Sequence, residues 1–209
     1  MKKYFVIIFL ITILIFQACE KPDYSNRENN YIKRNLLTKD ELRTLDPTLK
    51  NLRKGIDEFS KFTWYQDKSS PGYVNQNGFF LFFGIRDDGY VTDLRCKIQY
   101  YAEDWLFIQN YDFIVDTTNF SLYAFDSVER NNGDGMIWEW HNTTIGEDNM
   151  KLIKAISKAK KVKIRFNGRQ YYKIRTLTRN EIKAVNNVLS TYESIQSILS
   201  RQSQIKDTL

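Results

Sequence analysis

The chain has 209 residues, of which 42% are hydrophobic and 15% aromatic, so it can form one core of ordinary size and is too apolar to be disordered. Its net charge is +6, from 31 basic and 25 acidic residues. Lys2 and Lys3 lie in a segment that we expect to be removed, which leaves 29 basic residues. The remaining charge of +4 is too small to indicate a nucleic-acid partner.

The first residues combine a short positive region with an apolar run. Lys2 and Lys3 precede residues 4–16, which are almost all apolar. A helix of that length spans about 20 Å at ~1.5 Å per residue, whereas a bilayer core is about 30 Å thick. The segment therefore predicts a secretory signal rather than a permanent membrane helix.

The alanine–cysteine pair that ends at Cys19 resembles the lipobox of bacterial lipoproteins, and the resemblance covers residues 1–19 only. In that family diacylglycerol alkylates the cysteine thiol, the peptide is cut just before the cysteine, and the new amino group is usually acylated. The resemblance implies that residues 1–18 are a signal peptide and that Cys19 carries the lipid. Phe16 and Gln17 stand where the family usually has an aliphatic and a small residue. An uncleaved anchor and ordinary secretion with an unmodified cysteine are the alternatives.

Residues 19–36 are polar and include Pro22, which predicts a flexible tether with an average span of roughly 20–25 Å. Two or three acyl chains, at ~0.8 kcal/mol per buried methylene, would hold such a protein to the cell membrane or outer membrane. Membrane lipid is then its first partner. Because Glu20 and Lys21 do not begin an acidic run of the kind associated with surface export, we expect the protein to face the periplasm.

Residues 37–200 predict a single α+β domain that begins with a helical segment. Thr38 and Glu41 have the spacing of a capping box, which marks a helix start. Pro47 should interrupt this helix. A second helix is then predicted from apolar residues at steps of three and four, namely Leu49, Leu52, Ile56 and Phe59.

From Phe62 to His141, short strands and turns alternate, which predicts an antiparallel meander sheet of about six to nine strands. The predicted strands are FTWYQD, FFLFFGI, TDLRCKIQYY, WLFIQ, YDFIV, FSLYAF and MIWEWH. Alternation in the third of them places four side chains in the core, namely Leu94, Cys96, Ile98 and Tyr100. If Cys19 is lipidated, Cys96 has no disulfide partner, and we expect a buried, inert thiol rather than a nucleophile.

The last third of the chain mixes helices and a hairpin. Residues 148–160 predict a helix, and KVKIRFNGRQYYKIR predicts a hairpin with a type I′ turn at Asn167-Gly168. Thr178 should cap a long C-terminal helix that packs on the sheet, followed by a polar tail over 201–209. The apolar stripe of that helix consists of Ile182, Val185, Val188, Leu189, Tyr192, Ile195 and Leu199.

No catalytic residue, metal site or cofactor is predicted. The lone His141 cannot form a multi-histidine zinc site, and HExxH, CxxC and GxSxG spacings are absent from the sequence. We expect His141 to be a surface or hydrogen-bonded structural residue. Carboxylate pairs in predicted turns keep a sugar hydrolase as an alternative, namely Asp87 with Asp88, Glu103 with Asp104, and Asp126 with Glu129.

Three features are candidates for binding. Trp138 and Trp140 share one strand face, where we expect core packing, with stacking on a ligand as the alternative. The aromatic run 79–83 predicts a strand covered on both faces, or else a binding patch. Lys161, Lys163 and Arg165 alternate, which favours a solvated edge over attraction to anionic lipid headgroups.

Beyond its first 19 residues the chain resembles no family of known activity, and three hypotheses for its function follow. The favoured one is a non-enzymatic, membrane-tethered module that binds a ligand or an envelope protein. The others are a carboxylate-dependent hydrolase of the envelope and a structural protein that lies against the membrane through its basic hairpin.

Overall fold

The structure is a computed structural model that describes residues 36–124 and 128–206. The predicted signal peptide and Cys19 therefore lie outside the described residues, as does the predicted tether except for its last residue. That residue, Leu36, forms an isolated β-bridge with Tyr90, so it belongs to the folded domain. Within the two described ranges, no helix is both long and apolar enough to cross a membrane.

The predicted α+β class is confirmed, with three helices and ten strands in the described part of the chain. In chain order these elements are α1 (Lys39–Leu49), β1 (Leu52–Asp57), β2 (Phe62–Asp67), β3 (Gly78–Arg86), β4 (Arg95–Ala102), β5 (Asn110–Val115), β6 (Thr118–Tyr123), β7 (Glu129–Gly133), β8 (Met136–Thr144), α2 (Glu147–Lys158), β9 (Val162–Asn167), β10 (Tyr172–Thr176) and α3 (Arg179–Lys206).

The strands are antiparallel, and they form two sheets where we expected one meander. The large sheet has the order β1-β2-β3-β4-β8-β7, and the small sheet has the order β10-β9-β5-β6. Their inner faces meet through aromatic pairs such as Phe79 with Phe113 and Tyr100 with Phe166, whose ring centroids are 5.7 and 5.5 Å apart. Helix α3 packs on β2 and β3, and α2 packs on α3. The core therefore lies between the sheets and beneath α3.

Helix α3 follows its prediction closely. All seven residues of the predicted apolar stripe are buried. Thr178 and Glu181 form the predicted cap, with the amide of Glu181 donating to the hydroxyl of Thr178 over 3.1 Å. The helix continues to Lys206, so much of the predicted polar tail is helical. Gln202 in this last part donates to the carboxylate of Glu41 in α1, which anchors the end of α3.

The second N-terminal helix was a wrong prediction. Pro47 lies inside α1, and the residues that follow form β1, which pairs with β2 from Leu52 to Asp57. The helical spacing is accidental, because Leu52 is buried whereas Ile56 and Phe59 are exposed. Pairing with a neighbouring strand outweighs the local periodicity, as is common for edge strands.

Two details of the predicted hairpins were also wrong. Residues 105–109, read as a strand, are irregular, and Phe107 has a φ of 55°. The two strands of the C-terminal hairpin are joined by four residues, not by a two-residue type I′ turn, because Asn167 pairs with Tyr172. The two-residue turn with positive φ at both positions is instead Asp134-Gly135, at 52° and 76°, between β7 and β8.

The favoured prediction for the run 79–83, a strand covered on both faces, is confirmed except at Phe82, which is half-buried. Alternate residues of β3 face the core, and Phe80 on the other face is also buried. The loop 68–77 lies over that other face. The carbonyl oxygen of Pro71 accepts hydrogen bonds from Arg53 and Gln66, and that of Tyr73 accepts one from Gln99. The loop thus removes this part of the sheet from solvent.

Candidate binding surface

The small sheet has one face in the core and one face in solvent. On β9, for example, Ile164 is buried whereas Lys163 and Arg165 are exposed. We name the solvent side the outer face of the small sheet; it consists of the outward-pointing side chains of β5, β6, β9 and β10. The residues discussed below are Asp112, Ile114, Lys163, Arg165, Tyr172 and Ile174.

A hydrogen-bonded carboxylate occupies the centre of the outer face. Asp112 accepts hydrogen bonds from Asn167 at 2.8 Å, from Ser121 at 2.8 Å, and from Nε of Arg165 at 3.1 Å. The hydrogen bond from Asn167 is the main cause that lowers the pKa of Asp112; partial burial opposes it, and Ser121 and Arg165 add to the lowering. Asp112 is therefore ionised at neutral pH and offsets the charge of Arg165.

Exposed apolar side chains surround this carboxylate. Ile114, Ile174 and Tyr172 are 46%, 57% and 60% exposed, and the Arg165 guanidinium lies 5.6 Å from the ring centroid of Tyr172. A cavity of about 400 Å³ lies between Ile114 and Ile174, and Lys163 and Arg165 also line it. Apolar side chains grouped at the surface with a polar surround are typical of interaction sites.

A second cavity lies on the other side of β10. It has a volume of about 340 Å³, and its lining includes Tyr100, Phe166, Lys173 and Arg175. Glu103 and Asp104 also line it, so its charge is mixed. Ile174 contributes to the lining of both cavities. Three residues of β10 thus line the second cavity, whereas the first lies mainly over β5, β6 and β9 and meets β10 at Ile174.

Strand β10 is also an edge of the small sheet, since β9 is its only neighbour in the sheet order of the described residues. The amide of Leu177 donates to the carbonyl oxygen of Val162 over 2.9 Å. This hydrogen bond shows which residues of β10 direct their backbone groups toward β9 and which direct them away from it. Because this direction alternates along an antiparallel strand, Tyr172, Ile174 and Thr176 direct their backbone N–H and C=O groups away from β9. These groups are available to another strand.

An ion pair fixes the end of β10 to the start of α3. Arg175 donates two hydrogen bonds to Glu181, at 2.9 and 2.7 Å, and both side chains are largely buried. Glu181 also accepts the amides of Thr178 (2.7 Å) and Phe79 (3.1 Å). Burial, the largest influence, raises the pKa of Glu181, but Arg175 and Thr178 together outweigh it, so the pKa is lowered. Arg175 is thus a structural cation.

The predicted basic residues are in part brought together. Lys163 and Arg165 project from the outer face, as alternation predicted. Lys161 is exposed and immediately precedes β9, where its amide donates to the carboxylate of Asp116 over 2.9 Å. None of the ion pairs among the described residues involves Lys163 or Lys173, so both ammonium groups are available to a partner.

The predicted tryptophan pair lies elsewhere, and its expected core position was wrong. In β8 the buried positions are Ile137, Glu139 and His141, whereas Trp138 and Trp140 are half-buried on the outward side of the large sheet. The side chains that we expected to face the core thus face outward, and their neighbours face the core. The structure does not bring the tryptophans together with the basic hairpin residues, since the two sets lie on different sheets.

The reason for this orientation is a hydrogen-bonded carboxylate that sequence reasoning missed. Glu139, with 0% of its side chain exposed, accepts the amides of Leu106 and Phe107 at 2.8 Å and of Ile108 at 2.9 Å. Nε of Arg130 donates to the same carboxylate over 3.0 Å. Four donors compensate the burial of one charge, and they join β8 to the segment that leads into β5.

Cys96 and His141 come near each other in the core, on adjacent strands β4 and β8. Both are fully buried, and the His141 ring stacks on Tyr111 with centroids 5.8 Å apart. Burial raises the pKa of the Cys96 thiol far above its ordinary value, so the thiolate is suppressed. The predicted buried thiol is confirmed, and of the two alternatives for His141 the surface position is wrong, because the residue lies in the core.

The remaining acidic candidates are exposed. Glu103 and Asp104 line the second cavity, and Asp88 forms an ion pair with Arg86 at 2.7 Å. Asp126 lies outside the described residues. In the described ranges, no three His, Cys, Asp or Glu side chains lie close enough together to hold a metal ion.

No protein-family model matches the chain, and comparisons with curated proteins and with solved structures likewise find no match.

Proposed function

We propose that this protein is a lipid-anchored protein of the bacterial cell envelope that binds a partner protein through the outer face of the small sheet. In this proposal it is not an enzyme. The acyl chains on Cys19 hold it to the membrane, and the folded domain faces the periplasm.

The observation that carries the binding role is the exposure of Ile114, Tyr172 and Ile174 on one sheet face, where Ile114 and Ile174 line a cavity. These three side chains leave apolar surface in water, which costs roughly 25 cal/mol per Å² relative to burial. Asp112, which lies among them, is paired with Arg165 and therefore does not neutralise the charge of Lys163. Such a surface favours a partner that covers apolar area and carries negative charge.

The membrane anchor has a direct test. Mass spectrometry of the purified N-terminal peptide should find Cys19 as the first residue, carrying diacylglycerol and a further acyl group. The Cys19→Ser variant should lose lipid labelling and accumulate with residues 1–18 attached. An unmodified Cys19 thiol at the N-terminus, or an intact Met1 in the wild-type protein, contradicts the anchor.

The binding role is tested by photocrosslinking in cells. Benzoylphenylalanine placed at Ile114 should give a discrete crosslinked species that contains another envelope protein. The matched control is the same probe at Ile56, an exposed isoleucine on the edge strand of the large sheet. Equal crosslinking from both positions, or none from Ile114, contradicts a binding role for the outer face.

A further inference from the structure

We infer that β10 binds an extended acidic segment of the partner as an added strand of the small sheet. This inference rests on the proposed function and specifies the partner's chemistry. In β-augmentation, a peptide pairs with an exposed sheet edge through its backbone, and its alternate side chains enter depressions on the two faces of the sheet.

The geometry of β10 meets the requirements of this binding mode. Tyr172, Ile174 and Thr176 offer backbone donors and acceptors at the spacing of a strand. One set of alternate side chains of an added strand would face the inner cavity, which Lys173, Ile174 and Arg175 line. The other set would lie beside Ile174, which borders the cavity of the outer face. A residue that pairs with Ile174 lies on the outer face, where it extends the apolar surface.

Charge selects the kind of segment. The stretch 158–178, which contains both strands of the hairpin, has eight basic residues and no acidic one. On the outer face, Lys163 is paired across the ladder with Thr176, whose short side chain leaves room for the ammonium group to reach a strand added beyond it. We therefore expect carboxylates on the outward side of the added strand, next to an apolar residue opposite Ile174.

The test is a selection of short random peptides displayed on phage against the full-length protein purified in detergent. Selected peptides should carry Asp or Glu two residues away from an apolar residue, so that both lie on the outward side of the added strand, and their binding should weaken at high salt. Methylation of alternate peptide amides should abolish binding, because it removes the donors that pair with β10. Selection of peptides without an acidic excess, or binding that survives amide methylation, overturns the inference.

Two variants locate the binding. Ile174→Pro removes an N–H that points away from β9, so the sheet should remain intact while affinity for a selected peptide falls at least about tenfold. Lys163→Glu should cause a similar loss without touching the backbone, which keeps the test valid if the proline variant unfolds. The matched control is Lys54→Glu, at an exposed lysine on the edge strand β1, which should leave affinity unchanged.

The outcomes separate this inference from the proposed function. If crosslinks from Ile114 reach an envelope protein but no acidic peptide is selected, β-augmentation fails and the binding role remains. If anionic lipid vesicles bind through Lys163 and peptides do not, the surface recognises headgroups and the inference is wrong. If crosslinks from Ile114 join two copies of the chain, the acidic partner is likewise excluded.

Discussion

The carboxylate of Glu139 offers the most decisive stability test, because it is fully buried and contacts four donors. In the variant Glu139→Ala, the amides of residues 106–108 lose their acceptor and Arg130 loses its ion pair. An unsatisfied buried donor costs about 1–3 kcal/mol, and breaking a buried ion pair typically costs about 3–5 kcal/mol. Because the Arg130 side chain is 34% exposed, water replaces part of its lost partner. We therefore expect a loss of about 3–5 kcal/mol.

That loss is large against the roughly 5–15 kcal/mol that stabilises an ordinary domain. Urea unfolding followed by tryptophan fluorescence should show it as a lower midpoint with an unchanged slope. Glu139→Gln keeps one acceptor oxygen and should cost less, about 1–3 kcal/mol. Glu129→Gln is the matched control, since Glu129 is an exposed carboxylate on the neighbouring strand, and it should change stability by under about 0.5 kcal/mol.

Hydrogen exchange supplies a readout specific to the proposed contacts. Exchange of the amides of residues 106–108 should accelerate more in Glu139→Ala than exchange in α3, which is remote from the change. A loss of less than about 1 kcal/mol, or unchanged exchange at these amides, would show that the segment is held by other contacts and would refute this reasoning.

Further predictions concern single residues. Gly168→Ala should destabilise the protein by about 1–3 kcal/mol in urea unfolding, because the added Cβ would lie 2.1 Å from the carbonyl oxygen of Leu106. The control is Gly55→Ala, which should be nearly neutral because nothing lies near the added Cβ. Cys96 should resist iodoacetamide in the native protein and react after unfolding, as peptide mass spectrometry would show; rapid native labelling would contradict its burial. The lowered pKa of Glu181 implies a contribution to stability that is present at neutral pH and is lost as the pH falls from about 4.3 through the folded value. In the variant Glu181→Gln, the free energy of unfolding should therefore fall less steeply as the pH is lowered below about 4.3. An unchanged slope in this acidic range would show that other groups cause the loss of stability.

The spacing of apolar residues in the sequence predicted correctly those helices and strands whose apolar side chains all pack against the same part of the fold. The stripe of α3 is buried as a whole because one side of the helix lies on the large sheet. Strand β4 has the same property, since Leu94, Cys96, Ile98 and Tyr100 all face the core. Capping is a local property too, and both predicted capping boxes are present. Local chemistry was sufficient for these features.

Strand β8 shows where such reasoning fails. Apolarity alone assigns Trp138 and Trp140 to the core in preference to Glu139 and His141. The choice is reversed by the amides of residues 106–108, which are remote from β8 in the sequence, and by Arg130, the cross-strand partner of Glu139 in the β7–β8 hairpin. The hairpin places Arg130 opposite Glu139 locally, but the three amides that complete the compensation of the buried charge come from tertiary structure, for which the sequence of β8 contains no signal.

The candidate binding surface was only half predictable for a related reason. The alternation of Lys163 and Arg165 is what any solvated strand shows, so it gave no indication of a site. What distinguishes the surface is that β10 ends the sheet and that its Ile174 borders a cavity on each side of the sheet. Strand β9 lies between β5 and β10, and no strand of the described residues lies on the far side of β10. The backbone amides of β10 that point away from β9 are therefore available. The order of strands, rather than any motif, therefore creates the edge at which we expect the partner to bind.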